Sequence, residues 1–262
     1  MSFPQISKEL LKERAKLHQK KSRRESGMVI IEGENLIEQL ISNGIYPREL
    51  YLQEDRELSP ILRSKDFSAS KAFSLTSKDL KRLCDTPAPQ GIAALYPVPE
   101  PQDISQISFR RAFYLDGISD PGNLGTIFRI AAAFGFDAVL LSPECVETAS
   151  PKVIRASLGS VFWIPFTRSK PSELKKLSAR KYALEMEASL SLQAYEPGSE
   201  AEIFIIGSEA HGLDKATKAL TDQSLRIDMA RGMESLNAAM AAGIVAYVVY
   251  CHGVMSNERS RM

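Results

Sequence analysis

Short continuous apolar runs alternate along this chain with stretches of helical periodicity. MVIIEG (28–33) has the make-up of a buried strand that stops at Gly33, and NLIEQLISNG (35–44) that of a helix closed by Asn43-Gly44, a common C-terminal signal. ELYLQ (49–53), AFSLT (72–76) and IAALY (92–96) predict three more strands, and SKDLKRL (77–83) a short helix opened by Ser77. Upstream, Ile6, Leu10 and Leu17 lie among basic residues and predict a loosely amphipathic helix over about 5–24. PVPEPQDISQ (97–106) holds three prolines and no apolar period, the signature of a linker.

A second series follows. AFYLD (112–116), AVLL (138–141), VFWIPF (161–166), KYALEM (181–186), EIFIIG (202–207) and SLRIDM (224–229) read as strands. Helices are expected near 123–134, 151–159, 172–178, 213–220 and 235–250. Apolar strands alternating with helices imply an α/β fold with a mostly parallel sheet covered on both faces, whose ligands sit beyond the carboxyl ends of the strands. The expected organisation is a small α/β domain over 1–96, a linker over 97–106 and a parallel-sheet domain over 107–262.

Composition narrows the class. Apolar residues make up 44% and charged residues 25% of the 262, as in an ordinary globular protein. The longest apolar stretch, Ala238 to Tyr250, is too short for a membrane span. The N-terminal MSFPQISKELLKERAKLHQKK has no apolar core of a signal peptide, so a cytoplasmic location is expected. Three scattered cysteines (Cys84, Cys145, Cys251) and three histidines (His18, His211, His252) form neither a disulfide framework nor a metal motif. The net charge is only +1, yet residues 1–24 hold eight Lys or Arg against two acids, an excess that suggests an anionic partner or a solvated helix face.

Three loops after strands carry the candidate chemistry. In LDGISDPGNLGTIFRIAAAFGF, Pro121, Gly122 and Gly125 allow a tight turn, Asn123 is a candidate helix cap, and Arg129 lies where it can point back to the loop. This reads as an anion or ribose site, or as a capped helix with a surface arginine. In IIGSEAHGLD, two glycines surround Glu209; Leu213 and Asp214 stand where a P-loop requires Lys and Ser/Thr, and His211 has no metal partner in sequence. In LRIDMARGMESLNAAMAAGIVAYVVY, Ser235 or Glu234 is expected to cap a long buried helix rich in small residues. No G-x-G-x-x-G occurs anywhere, which argues against a dinucleotide-binding dehydrogenase.

Together the loops resemble the signature motifs of the SpoU (TrmH) family of RNA 2′-O-ribose methyltransferases, in the SPOUT superfamily. The matching elements are DPGNLGxxxR (120–129), GSEAHGL (207–213) and ESLNAAMAAGI (234–244). IEGENLIEQL (31–40) and LCDTPAPQGIAAL (83–95) are similar to the family's substrate-binding domain, and SPKVIRASLGSVF (150–162) is a further match.

The resemblance implies a C-terminal domain with a trefoil knot, a homodimer, and S-adenosylmethionine as cofactor without a metal. By position, Gly207, Ile227, Met229 and Leu236 would hold the cofactor, and Asn123, Arg129, Glu209, Ser235 and Asn237 would line the reaction centre. A ribose hydroxyl is a weak nucleophile that must be oriented and deprotonated, whereas a sulfonium methyl is already activated. The family proposal of the arginine as general base is costly: a guanidinium stays protonated far above neutral pH, so neutralising it at pH 7 costs roughly 8 kcal/mol. Arg129 is therefore favoured as an orienting, charge-stabilising group, with Glu209 as the alternative proton acceptor. Asp228 replaces the usual proline and Ser208 the commoner asparagine; Asp228 is expected to loosen a turn beside the cofactor. Lys20, Lys21, Arg23 and Arg24, with Lys152, Arg155 and Arg231 beside the motifs, are candidate RNA contacts or solvated charges. Ribosomal RNA is favoured over transfer RNA, antibiotic-resistance methylation included; the competing readings are methylation of a base and an inactive RNA-binding protein.

Overall fold

The computed structural model describes residues 3–54, 56–57, 59–60, 62, 71–208, 211–230, 232 and 235–259, with the side chains beyond 252 excepted. The chain divides into two compact units: Met1–Pro99 with Ala149–Trp163, and Glu100–Thr148 with Ile164–Met262.

The first unit opens with helices α1 (Lys8–Ala15) and α2 (Lys20–Ser26), joined by a 3-10 turn over Lys16–His18. The single helix expected over 5–24 is broken, because Gln19 is extended and the Arg23 guanidinium turns inward to donate to the carbonyls of Leu17 and His18. Strand β1 (Met28–Glu32), helix α3 (Glu34–Ser42), strands β2 (Glu49–Gln53) and β3 (Lys71–Leu75), helix α4 (Ser77–Leu83) and strand β4 (Ile92–Pro97) follow. The sheet order is β1-β4-β2-β3, with β4 antiparallel to both neighbours and β2 parallel to β3. Leu11 and Leu17 enter a core with Tyr51, Leu80, Leu83 and Leu95. Arg14 is held by two 2.9 Å hydrogen bonds to Glu49, which fixes α1 to the sheet.

The second unit starts with β5 (Arg111–Asp116), α5 (Pro121–Ala133) and β6 (Ala138–Leu141). The chain then enters the first unit for α6 (Pro151–Ala156), which packs on β1, and for a 3-10 turn over Ser160–Phe162. The expected domain over 107–262 is thus discontinuous, and VFWIPF is not one strand. Its first half is a turn whose Val161 is buried in the first unit, and only Phe166 onward joins a sheet. An apolar run of this length does not by itself separate a buried strand from a buried turn.

Back in the second unit come β7 (Phe166–Arg168), α7 (Pro171–Leu174), β8 (Ala179–Leu184), the short β9 (Leu190–Ser191), β10 (Ala201–Gly207), α8 (Lys215–Lys218), β11 (Gln223–Arg226) and α9 (Ala238–Arg259). Its seven strands lie in the order β7-β6-β5-β10-β8-β11-β9, all pairs parallel. Strands β5 and β10 are buried almost throughout, as expected of a sheet covered on both faces. The chain winds outward from β5 to β7, then crosses to β8 on the far side of β10. That reversal of direction is where a parallel sheet leaves a crevice for ligands.

Candidate cofactor and active site

A cavity of 550 Å³ lies beyond the carboxyl ends of β10, β8 and β11, the volume of a small-ligand site. Gly207, Ile227, Met229 and Leu236, the four expected cofactor positions, all line it, as does Ser235. These five come from the end of β10, the segment after β11 and the approach to α9.

Gly207 is needed for a reason its loop sequence does not show. After β10 the chain folds straight back on itself. Ser208 N–H donates to Gly212 O at 3.2 Å, and Gly212 N–H donates to Ser208 O at 2.9 Å. A Cβ on Gly207 would lie 2.5 Å from Gly212 O and 2.8 Å from Leu213 N. The glycine therefore permits the fold-back itself, and with it the cavity wall. Asp116, buried at the end of β5, accepts from Asp214 N–H at 2.8 Å and anchors the far side of the same loop. Ser208 Oγ accepts from His211 N–H at 3.3 Å, and the His211 side chain is exposed. Glu209 lies outside the described residues.

The two helix starts are stitched together. Asp120, not Asn123, caps α5: its carboxylate accepts from Asn123 N–H at 2.9 Å, while Pro121 occupies the first helical position. Asn237, not Ser235, caps α9, its Oδ1 accepting from Ala239 N–H at 3.0 Å and Met240 N–H at 3.2 Å; Glu234, the other expected cap, lies outside the described residues. That use of Oδ1 fixes the amide orientation, so Asn237 Nδ2 donates to Asn123 Oδ1 at 2.9 Å. One side chain thus closes a helix and ties the first motif to the third. Asn237 also stands between two cavity-wall residues, Leu236 and Ala238.

Arg129 is exposed on α5, outside the cavity lining, and makes no hydrogen bond or ion pair among the described residues. Asp228 does not loosen its turn. It accepts a short hydrogen bond from Ser191 Oγ and pairs with Arg226 Nε at 2.9 Å, and these partners, Ser191 first, hold its carboxyl below the usual range. Arg226 in turn donates to the carbonyls of Ala188 and Ser189, so the aspartate is one node of a bonded turn.

Sequence reasoning missed the segment after β8. Leu184 to Ala188 form one wall of the cavity, and Glu185 is bonded to Lys218 Nζ at 2.7 Å and to Ser224 Oγ at 2.6 Å. The strand expected over KYALEM ends at Leu184, two residues short of Met186.

In the first unit Lys20, Lys21 and Arg24 are exposed, and Lys21 pairs with Glu25 at 3.8 Å. Arg23 is 5% exposed and spends its guanidinium on backbone carbonyls, so it is a structural residue and not a surface contact. Lys152 is exposed on α6, and Arg155 pairs with Asp85 at 3.2 Å. Both belong to the unit that carries α1 and α2. Arg231 lies outside the described residues.

Fold and cavity define an α/β protein with a ligand-sized cavity beyond the carboxyl edge of its parallel sheet. The SpoU rRNA Methylase family model matches residues 110–247, and the MRM3-like substrate binding domain matches residues 8–94. The 23S rRNA (guanosine(2553)-2′-O)-methyltransferase RlmP of Bacillus subtilis (strain 168) is 32% identical over 241 residues, 90% of this chain and 94% of the relative. A crystal structure of an RNA 2′-O ribose methyltransferase superposes with a TM-score of 0.80 at 27% identity, covering 97% of this chain and 100% of that one. The SpoU methyltransferase AviRb of Streptomyces viridochromogenes, solved with the cofactor AdoMet, shares the fold with a TM-score of 0.81 at 23% identity, over 95% of this chain and 99% of that one. The chain belongs to the SpoU rRNA methylase family and is an S-adenosylmethionine-dependent RNA methyltransferase.

Proposed function

We infer that this chain methylates a ribose 2′-hydroxyl in ribosomal RNA, working as a homodimer in the cytoplasm. The observation that carries the reading is the convergence of Gly207, Ile227, Met229 and Leu236 on one cavity, with the Asn123–Asn237 bond tying the other motif residues beside it. The Bacillus subtilis relative supports 23S ribosomal RNA as the substrate class and the ribose 2′-oxygen as the acceptor. The cavity's volume, its apolar walls and the glycine fold-back fit an adenosine-bearing cofactor. Bound there, S-adenosylmethionine supplies an activated sulfonium methyl. The chain's own task is to orient the acceptor hydroxyl and dispose of its proton. Asn123, Asn237 and Ser235 are the positions to hold that hydroxyl. Arg129, exposed on α5, supplies a cation for the charge that develops or for the neighbouring phosphate, and Glu209 is the alternative proton acceptor.

A dimer is supported by an apolar face on α9: Met240, Tyr247 and Tyr250 are 61%, 59% and 45% exposed, and the two tyrosines meet Phe134 edge to face. The trefoil knot belongs to the same reading, with α9 packed on both α5 and β10. Two measurements test the reaction. Calorimetry should show S-adenosylmethionine or its demethylated product binding in the presence of a chelator. Mapping of 2′-O-methylated nucleotides should show one ribosomal site that disappears when the protein is removed. Binding of NAD instead, or an unchanged ribose methylation map, rules the function out.

The unit formed by 1–99 and 149–163 is the proposed RNA-binding part, with Lys20, Lys21, Arg24, Lys152 and Arg155 as its phosphate contacts. Charge reversal at Lys20, Lys21 and Arg24 together should weaken RNA binding and flatten its salt dependence by about 0.7–0.9 in log–log slope for each phosphate no longer neutralised. Cofactor affinity should not move. Unchanged RNA affinity would reduce this face to solvated surface.

A further inference from the structure

We propose that Glu185 recognises the ribose hydroxyls of the cofactor, with Lys218 and Ser224 holding its carboxylate in place. The proposal rests on the reading of the cavity as the S-adenosylmethionine site. Glu185 is the first residue beyond β8 and lines the cavity. Strand β8 lies between β10, which ends in Gly207, and β11, which Ile227 follows. The carboxylate thus sits at the middle strand end of the cradle proposed for the adenosine part.

Its geometry suits a pair of neutral hydrogen-bond donors. Oε1 lies 2.7 Å from Lys218 Nζ and Oε2 accepts from Ser224 Oγ at 2.6 Å, both partners being cavity residues themselves. Each oxygen can accept two hydrogen bonds and uses one here among the described residues, so each keeps a lone pair for a ligand. The side chain is 27% exposed, enough to be reached and little enough to be held. Lys218 keeps the carboxylate ionised, and Glu185 keeps the ammonium charged. The pair has no net charge, so it favours neutral donors over the ligand's cationic groups. A vicinal diol offers two such donors side by side, the group that an acidic residue beyond a strand end takes in dinucleotide-binding folds. A surface ion pair with no ligand would show none of this selectivity and contribute little.

The test uses the full chain, S-adenosylhomocysteine, and its 2′-deoxy and 3′-deoxy analogues in titration calorimetry. The wild-type chain should bind the ribose compound about 10- to 100-fold more tightly than at least one deoxy analogue, the scale of one hydrogen bond to a charged group. Glu185→Gln should lose most of its affinity for the ribose compound and little for that analogue, so that the preference collapses. Lys218→Met should produce a smaller collapse, because it frees the carboxylate without removing it. Melting curves check that both variants fold, and the wild-type comparison needs no variant at all. A wild-type chain that binds all three ligands equally overturns the proposal and leaves the cofactor site standing, as does a Glu185→Gln variant that keeps the ribose preference. A wild-type chain that binds none of the three overturns the cofactor reading as well.

Discussion

Arg129→Ala should lower methyl transfer by at least ~100-fold, the scale of losing one positioned catalytic group, while leaving cofactor affinity and melting temperature close to wild type. The structure separates these readouts. Arg129 is exposed and lies off the cavity lining, so its removal opens no hole, and among the described residues it orphans no charge. Alanine is also the better helix former at that position in α5. Arg129→Lys then divides the possible roles. Lysine keeps the charge and loses the planar fork, so it should recover part of the RNA binding and little of the turnover if orientation is the task. A lysine variant with near-normal maximal rate at a lower pH would instead make this position the proton acceptor. Full activity in the alanine variant would place the reaction centre elsewhere.

The architecture was readable where one segment served one core. AVLL (138–141) matches its strand residue for residue, and SKDLKRL (77–83) its helix, because the first is a short apolar run bounded by polar residues and the second a short polar-apolar segment between Thr76 and Cys84. Reading failed where residues answer to distant partners. VFWIPF divides between two units, and its first half turns beside Gly159, whose α-hydrogen faces Leu40 across a gap too tight for a Cβ. Arg23 looked like its basic neighbours, yet it closes a turn from inside. Asn123 and Ser235 were plausible caps by residue type. The backbone gave those roles to Asp120 and Asn237, and Asn237 was then free to donate to Asn123. The cofactor positions were legible only through resemblance to a family. Nothing in the spacing brings 207, 227, 229 and 236 together until the parallel sheet does. Glu185 escaped because a carboxylate after an apolar strand resembles any strand-ending polar residue until Lys218 and Ser224 are seen on it.

Gly207→Ala should cost about 10- to 100-fold in S-adenosylmethionine affinity, the effect of about 1–3 kcal/mol of overpacking concentrated on one cavity wall. The added methyl would meet backbone, namely Gly212 O and Leu213 N, so no flexible side chain can yield to it. The fold-back between Ser208 and Gly212 must open, and both hydrogen bonds that close it are at risk. Gly212→Ala is the informative control. Gly212 has φ +65° with nothing within 4 Å of an added Cβ, so alanine there meets conformational strain alone, about 1–2 kcal/mol. Gly212→Asn, with a side chain that tolerates left-handed backbone, should recover most of that loss. No such rescue exists at Gly207, where every side chain begins with the same clash. Calorimetry on the three variants, with melting curves beside it, decides the matter. If Gly207→Ala binds the cofactor as tightly as wild type, the fold-back is not the wall of the cofactor site. The convergence of motifs on this cavity would then have to be explained without a ligand.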